Sequence, residues 1–250
     1  MKQDSIRIAM WSGPRNISTA MMRAFENRRD TTVIDEPFYA HYLSRTGAEH
    51  PGKDDVLISQ STDWNSIVKL ITGPVPKEQF IWYQKHMVHH VVGLGDLSWV
   101  KDFRNCFLIR HPIEVINSYC RQSPIMGVRD LGFIQQVKLF DILIEMTGDI
   151  PIVCDAKDIL ISPKTQLELL CERLEINFSK KMLSWPSGHR DTDGIWAPYW
   201  YQNVERSTGF MNYYKKNDTV PTEYRDILNQ CVSCYEYLSN YNYNHHDLRN

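Results

Sequence analysis

The nine residues Trp11-Ser12-Gly13-Pro14-Arg15-Asn16-Ile17-Ser18-Thr19 gather, near the start of the chain, devices that bind an oxyanion. An apolar, strand-like run at 6–11 leads into them and a helix-forming run at 18–29 leads away. Backbone N–H groups and the positive end of a helix dipole therefore converge on one spot. Arg15 adds a planar fork of donors, and Ser18 and Thr19 add hydroxyls in the first helical turn. Read alone, the segment also fits an ordinary strand-to-helix loop capped by a serine. The nucleoside-triphosphatase signature GxxxxGK[ST] is only partly matched, because Ser18 and Thr19 follow Gly13 and its spacer with no lysine. A magnesium-dependent kinase or ATPase also needs a carboxylate at a neighbouring strand end. The apolar run 106–109 ends instead in Arg110, and only Asp155 could stand in for that carboxylate.

Other chemistry-bearing residues sit at similar junctions. Arg110 ends a strand-like run, and Ser118 follows eight residues on, in the next helical pattern. Glu36 directly follows the run 31–35, and Lys85-His86 follow the run 80–84. Adjacent strand residues point to opposite sides, so one of Lys85 and His86 faces a site at that edge and the other does not. His89 and His90 extend this cluster, for which a structural or substrate-contact role outranks a metal site because no carboxylate or cysteine is spaced to complete it. Trp196, Tyr199, Trp200 and Tyr201 could wall a small organic acceptor or belong to the core. A zinc site from Cys231, Cys234, His245 and His246 matches no standard ligand spacing.

The elements that position these residues alternate. Strand-like runs at 6–11, 31–35, 80–84, 106–109 and 150–154 alternate with helical patterns at about 113–122, 128–148 and 163–175, and 222–241 is helical again. The run 106–109 is apolar on consecutive positions, as a strand covered on both faces must be, and should be central. In the helix over 128–148, Val128, Leu131, Ile134, Val137, Phe140 and Ile144 form the buried stripe. The stretches 49–61 and 188–217 lack periodicity and read as functional loops. This pattern predicts an α/β fold, with a mainly parallel sheet between helices on both faces.

With 250 residues, no repeat and no linker, the chain reads as one domain over 1–250. The balance of 28 Lys+Arg against 30 Asp+Glu gives a net charge of −2, with no basic field to gather nucleic acid. The N-terminal apolar run is too short for a signal peptide or membrane span, so no membrane partner is expected. Six scattered cysteines fit reduced thiols and a cytoplasmic location. Nothing in the sequence fixes an oligomeric state.

Taken in order, these motifs resemble those of sulfotransferases that use 3′-phosphoadenosine 5′-phosphosulfate. The resemblance implies a P-loop-like three-layer α/β fold. Gly13, Pro14, Arg15, Asn16, Ile17, Ser18 and Thr19 look like that family's 5′-phosphosulfate loop, with Arg15 where many members have lysine and Ile17 where many have glycine. Arg110 and Ser118 resemble its 3′-phosphate-binding pair, and Arg206-Ser207-Thr208-Gly209 its glycine-containing closing loop. The two arginines are then expected to grip opposite ends of one nucleotide. Glu36-Pro37 resembles the pair of carbohydrate sulfotransferases, and Lys85-His86 the lysine and nearby histidine of cytosolic ones. The implied activity is sulfuryl transfer to a hydroxyl or amine of a small-molecule acceptor, with no metal required. Glu36 is the first choice of base and His86 its rival, while Lys85 and Arg15 supply positive charge where it is needed. The alternatives are a magnesium-dependent kinase or ATPase, and a nucleotide-binding module without catalysis.

Overall fold

In the computed structural model, residues 5–214 and 219–246 are described, apart from the side chains of His245 and His246. The sheet comprises β1 (Ile6–Ser12), β2 (Thr31–Asp35), β3 (Ile81–Met87), β4 (Arg104–Ile109) and β5 (Ile152–Asp155). Every pairing is parallel, in the order β2-β3-β1-β4-β5. The expected α/β architecture is present. The middle strand, however, is β1 rather than the one ending at Ile109, because the chain adds β3 on one side of β1 and β4 on the other.

The helices before β3 are α1 (Ser18–Glu26), α2 (Tyr39–Thr46), α3 (Lys53–Ser59) and α4 (Trp64–Thr72). After β4 come α5 (Pro112–Tyr119), α6 (Phe133–Thr147), α7 (Ala156–Ile161), α8 (Pro163–Arg173), α9 (Ala197–Trp200), α10 (Gln202–Glu205) and α11 (Arg225–Ser239). Alternation along β1 builds two cores. Ile8 and Met10 pack with Met22 and Phe25 of α1 and Leu167 and Leu170 of α8, while Ala9 and Trp11 pack with Ile71 of α4, Phe140 of α6 and Leu238 of α11. Helices thus cover both faces, which is why the strands carry apolar residues at consecutive positions.

Four details depart from the sequence-based expectations. The helix over 128–148 is two pieces, a 3-10 turn at Val128–Leu131 and then α6, separated by Gly132 at φ 74°. The left-handed backbone at Gly132 resets the helical phase, so Phe133, Gln136, Leu139, Phe140 and Leu143 form the buried stripe. β3 runs on through Lys85 and His86 to Met87, all of it buried. The stretch 49–61 contains α3, and 188–217 contains α9 and α10. No helix among the described residues is long and apolar enough to cross a membrane.

The first two crossovers lie on one side of β1 and the later strands on the other, so the carboxyl end of β1 is a topological switch point. Such points leave a crevice where ligands bind. Ser12, Glu36, Lys85 and Arg110 all lie at this edge.

Candidate active site at the sheet edge

A cavity of about 790 Å³ opens at the switch point. That is within the ~300–1,000 Å³ common for small-ligand sites. One wall is the turn Pro14–Thr19. Arg15 and Ile17 adopt left-handed backbone at φ 61° and 53°, which costs about 1–2 kcal/mol for each residue carrying a Cβ. Tertiary bonds hold them there: Asn16 Nδ2 donates to the Leu108 carbonyl at 2.6 Å, and an Arg110 guanidinium N–H donates to the Arg15 carbonyl at 2.7 Å. The serine-cap reading does not hold, because Ile17 is the N-cap of α1 and no side chain caps that helix. Its first N–H groups therefore lack side-chain partners, and Ile17 to Ala20 line the cavity. Gly13 does not line it. A Cβ at Gly13 would stand 2.4 Å from the Leu131 carbonyl oxygen, so glycine here permits close packing of the turn against the segment before α6.

The two arginines come together instead of standing at opposite ends. Arg15 Nε donates to Ser118 Oγ at 3.0 Å, and Arg110 Nε pairs with Glu114 at 2.8 Å. Glu114 in turn accepts from the Tyr213 hydroxyl at 2.8 Å. Among the described residues no carboxylate forms an ion pair with Arg15. Burial, then the positive charges of Arg110 and Arg121, depress its pKa below the ordinary arginine value. A half-buried cation flanked by two others, beside uncapped helix N–H groups, suits a multiply charged anion.

Across the cavity, Glu36 leaves β2 at φ 39°, its N–H donating to the Lys85 carbonyl at 2.9 Å. Lys85 Nζ donates to Glu36 Oε1, to Asp35 Oδ1 at 2.8 Å and to the Tyr201 hydroxyl at 2.7 Å. Tyr201 donates onward to Asp35 Oδ2 at 2.6 Å and accepts from Trp196 Nε1 at 3.0 Å. Burial raises the Glu36 carboxyl to about 6; the ammonium of Lys85 opposes the shift and the charge of Asp35 adds to it. Burial also works against the charge on Lys85, but Asp35 and Glu36 outweigh it and hold Lys85 protonated. Glu36 is thus a desolvated carboxylate inside the cavity, not a solvent-facing helix cap.

His86 faces the other way. Its ring stacks on Trp11 at 4.5 Å, beside Trp99 and Phe38, and burial depresses its pKa to about 3. It does not line the cavity, whereas Lys85 does. His89 and His90 lie on a buried 3-10 turn at Val88–His90 and reach the cavity with His50.

In the expected closing loop, Ser207 and Gly209 line the cavity, while Arg206 and Thr208 are exposed and do not. Phe210 to Tyr214 extend that wall. Trp196, Trp200 and Tyr201 line it too, but Tyr199 packs over Gly52 outside. Sequence reasoning passed over Tyr39, His50, Tyr119, Arg121 and Asp130, which also line the cavity. Tyr39 sits three residues after Glu36, a helical spacing that could have flagged it; the others had no signal.

Asp155 does not line the cavity. It caps α7 through the Lys157 N–H at 2.7 Å and accepts from Tyr235 at 2.7 Å, which removes the carboxylate the kinase reading relied on. Cys231 and Cys234 lie on α11, and the side chains of His245 and His246 lie outside the described residues. Among the described residues, the group with metal-ligand types is His189, Asp193 and Glu205, away from the cavity, and Arg23 already pairs with Asp193 at 2.6 Å.

A phosphate-type turn at the switch point of a parallel sheet, facing a buried carboxylate and lysine, makes a candidate anion-binding site of an α/β protein. The family model for a sulfotransferase domain matches residues 6–240, and the chain belongs to that family. Solved sulfotransferase domains share the fold: one from the olefin synthase of Synechococcus PCC 7002 (TM-score 0.53, 15% identity, covering 95% of this chain and 97% of that one) and one from the curacin biosynthetic pathway (0.51, 13%, 92% and 98%). A sulfotransferase from Alicyclobacillus acidocaldarius is similar (0.53, 9%, 95% and 96%). Two curated Arabidopsis thaliana proteins, branched-chain-amino-acid aminotransferase-like proteins 1 and 2, are 37% and 34% identical over 92% of this chain. The matched region is 41% of each, so the chain spans about two fifths of their length.

Proposed function

We propose that the chain moves a sulfuryl group from 3′-phosphoadenosine 5′-phosphosulfate to a nucleophile of a small-molecule acceptor, with Glu36 as general base. The observation that carries this is one cavity holding both an uncapped helix end with Arg15, which pairs with no carboxylate among the described residues, and, opposite, a buried carboxylate of raised pKa. The turn 14–19, Arg15, Arg110 and Ser118 would hold the donor's anionic groups. When bound, the donor supplies a sulfuryl group that leaves its bridging phosphate oxygen for the acceptor. Glu36 takes the acceptor's proton, and Lys85 keeps the carboxylate aimed and compensates its charge. The arginines offset charge growing on the departing phosphate, the kind of preorganised electrostatic stabilisation that dominates many rate enhancements. Trp196, Trp200 and Tyr201 wall the acceptor side. The names of the plant relatives describe proteins more than twice as long as the matched region and do not enter this reading.

Incubation with sulfur-labelled donor and a panel of alcohols, phenols, sugars and amines tests the proposal. Label transfer that persists with a chelator is expected. Magnesium-strengthened ATP binding and turnover, without label transfer, would overturn it in favour of phosphoryl chemistry.

A further inference from the structure

Past the phosphate turn, the cavity holds two polar atoms that the protein leaves unjoined. The ring of His90 is stacked between Tyr39 and Tyr42, 4.7 Å from each, and is 2% exposed. Its Nδ1 is buried without a hydrogen-bond partner and stands 3.9 Å from Glu36 Oε2. The other oxygen of Glu36 is taken by Lys85. Leaving a buried polar atom unsatisfied costs about 1–3 kcal/mol, and such an atom in a folded protein calls for an explanation. The gap is too long for a direct hydrogen bond. One oxygen atom at ordinary hydrogen-bond distance from both groups would close it, and the two tyrosine stacks keep the imidazole from swinging over to do so itself.

We propose that Glu36 Oε2 and His90 Nδ1 form a two-point seat for the attacking atom of the acceptor, and that this seat selects an alcohol over an amine; the inference rests on the sulfotransfer reading above. A hydroxyl oxygen has one proton and two lone pairs. It gives the proton to Glu36, accepts the N–H of His90 with one pair, and attacks sulfur with the other. With the ring proton on Nδ1, the tautomer that suits an oxygen ligand, a neutral amine spends its one lone pair on His90 and has none left for attack. An ammonium has none. In the transfer, the new S–O bond to the acceptor forms as the S–O bond to the leaving phosphate breaks, the acceptor's proton ends on Glu36, and the His90 proton stays in place. Burial, with the neighbouring histidines and Lys85, holds the His90 pKa well below the ordinary value. The ring is therefore neutral and does not compete with Lys85 for the carboxylate.

The test uses para-aminophenol, which presents a hydroxyl and an uncharged amine in one molecule at neutral pH. Wild type is expected to give the O-sulfate, identified by mass spectrometry and NMR. His90→Phe keeps the aromatic stack but removes the N–H, and is expected to slow transfer by about 10–100-fold, the cost of losing one hydrogen bond to a charging oxygen. His90→Gln retains an N–H donor and should recover part of that rate. Slow release of sulfate from the donor to water probes the same seat whatever the natural acceptor, and should fall in parallel in His90→Phe. Melting temperature and calorimetric binding of 3′-phosphoadenosine 5′-phosphate should be unchanged in both variants. Sulfamate formed as readily as O-sulfate, or wild-type rates in a folded His90→Phe, would overturn the seat and leave sulfotransfer standing. Wild type that neither binds the nucleotide nor releases sulfate would instead remove the sulfotransfer reading and the seat with it.

Discussion

Glu36 combines two properties that rarely coexist: it is buried enough to be a strong base for a carboxylate and is still tied to a cation that keeps it in place. Its pKa of about 6 sets the sign of a pH effect. Below that value the carboxyl is protonated and cannot accept a proton, so kcat/KM should rise about tenfold per pH unit on approaching 6 from below and level off above it. Glu36→Gln should cost about 10²–10⁴ in turnover while nucleotide binding survives. Loss of less than about tenfold would shift the role of base to another group. Lys85 neutralises two buried carboxylates, so Lys85→Met should destabilise the fold by about 3–5 kcal/mol, read by denaturant unfolding, because it leaves those charges uncompensated. At this scale the sequence was informative for Glu36 and Arg110, which directly follow apolar runs and line the cavity, but the same placement misled for Asp155, which caps α7 outside it. It could not choose between Lys85 and His86, since that choice depends on which face of β3 meets the cavity. Nor could it decide between a structural and a substrate-contact role for His90, which turns on a gap to Glu36 that only the folded chain defines.

At the scale of elements, the turn at 14–19 depends on its neighbours for its shape. Its strained backbone is held from β4 by the Leu108 carbonyl and from the β4–α5 junction by Arg110. Gly13 lets the turn lie against the Leu131 carbonyl, so Gly13→Ala should destabilise the protein by about 1–3 kcal/mol through forced displacement of backbone and weaken nucleotide binding with it. A melting temperature equal to wild type would show that the contact has slack. The strands were legible because a parallel sheet buried on both faces demands unbroken apolar runs. The helix over 128–148 was misread because Val128 and Leu131 keep the helical spacing while Gly132, between them and α6, breaks the phase. The short helices α3, α9 and α10 escaped notice because four to seven residues are too few to show a period.

At the scale of the molecule, the order β2-β3-β1-β4-β5 brings four strand ends to one crevice, and each contributes a different function. β1 leads into the turn at 14–19, β2 into the Glu36 carboxylate and β4 into Arg110, while β3 carries Lys85. Ser207, Gly209 to Tyr214 and the aromatic residues Trp196, Trp200 and Tyr201 then wall a site that these strand ends have already defined. The central claim is that Arg15 and Arg110 jointly hold the donor nucleotide, and titration calorimetry of 3′-phosphoadenosine 5′-phosphate tests it most directly. Wild type should bind, with affinity falling as salt is raised. Arg15→Ala and Arg110→Ala should each bind about 10–100-fold more weakly, as expected for loss of a charge-assisted bond to phosphate. Arg110→Ala must retain its fold by circular dichroism, because Arg110 also braces the turn. Equal affinity for wild type and both folded variants would contradict the account.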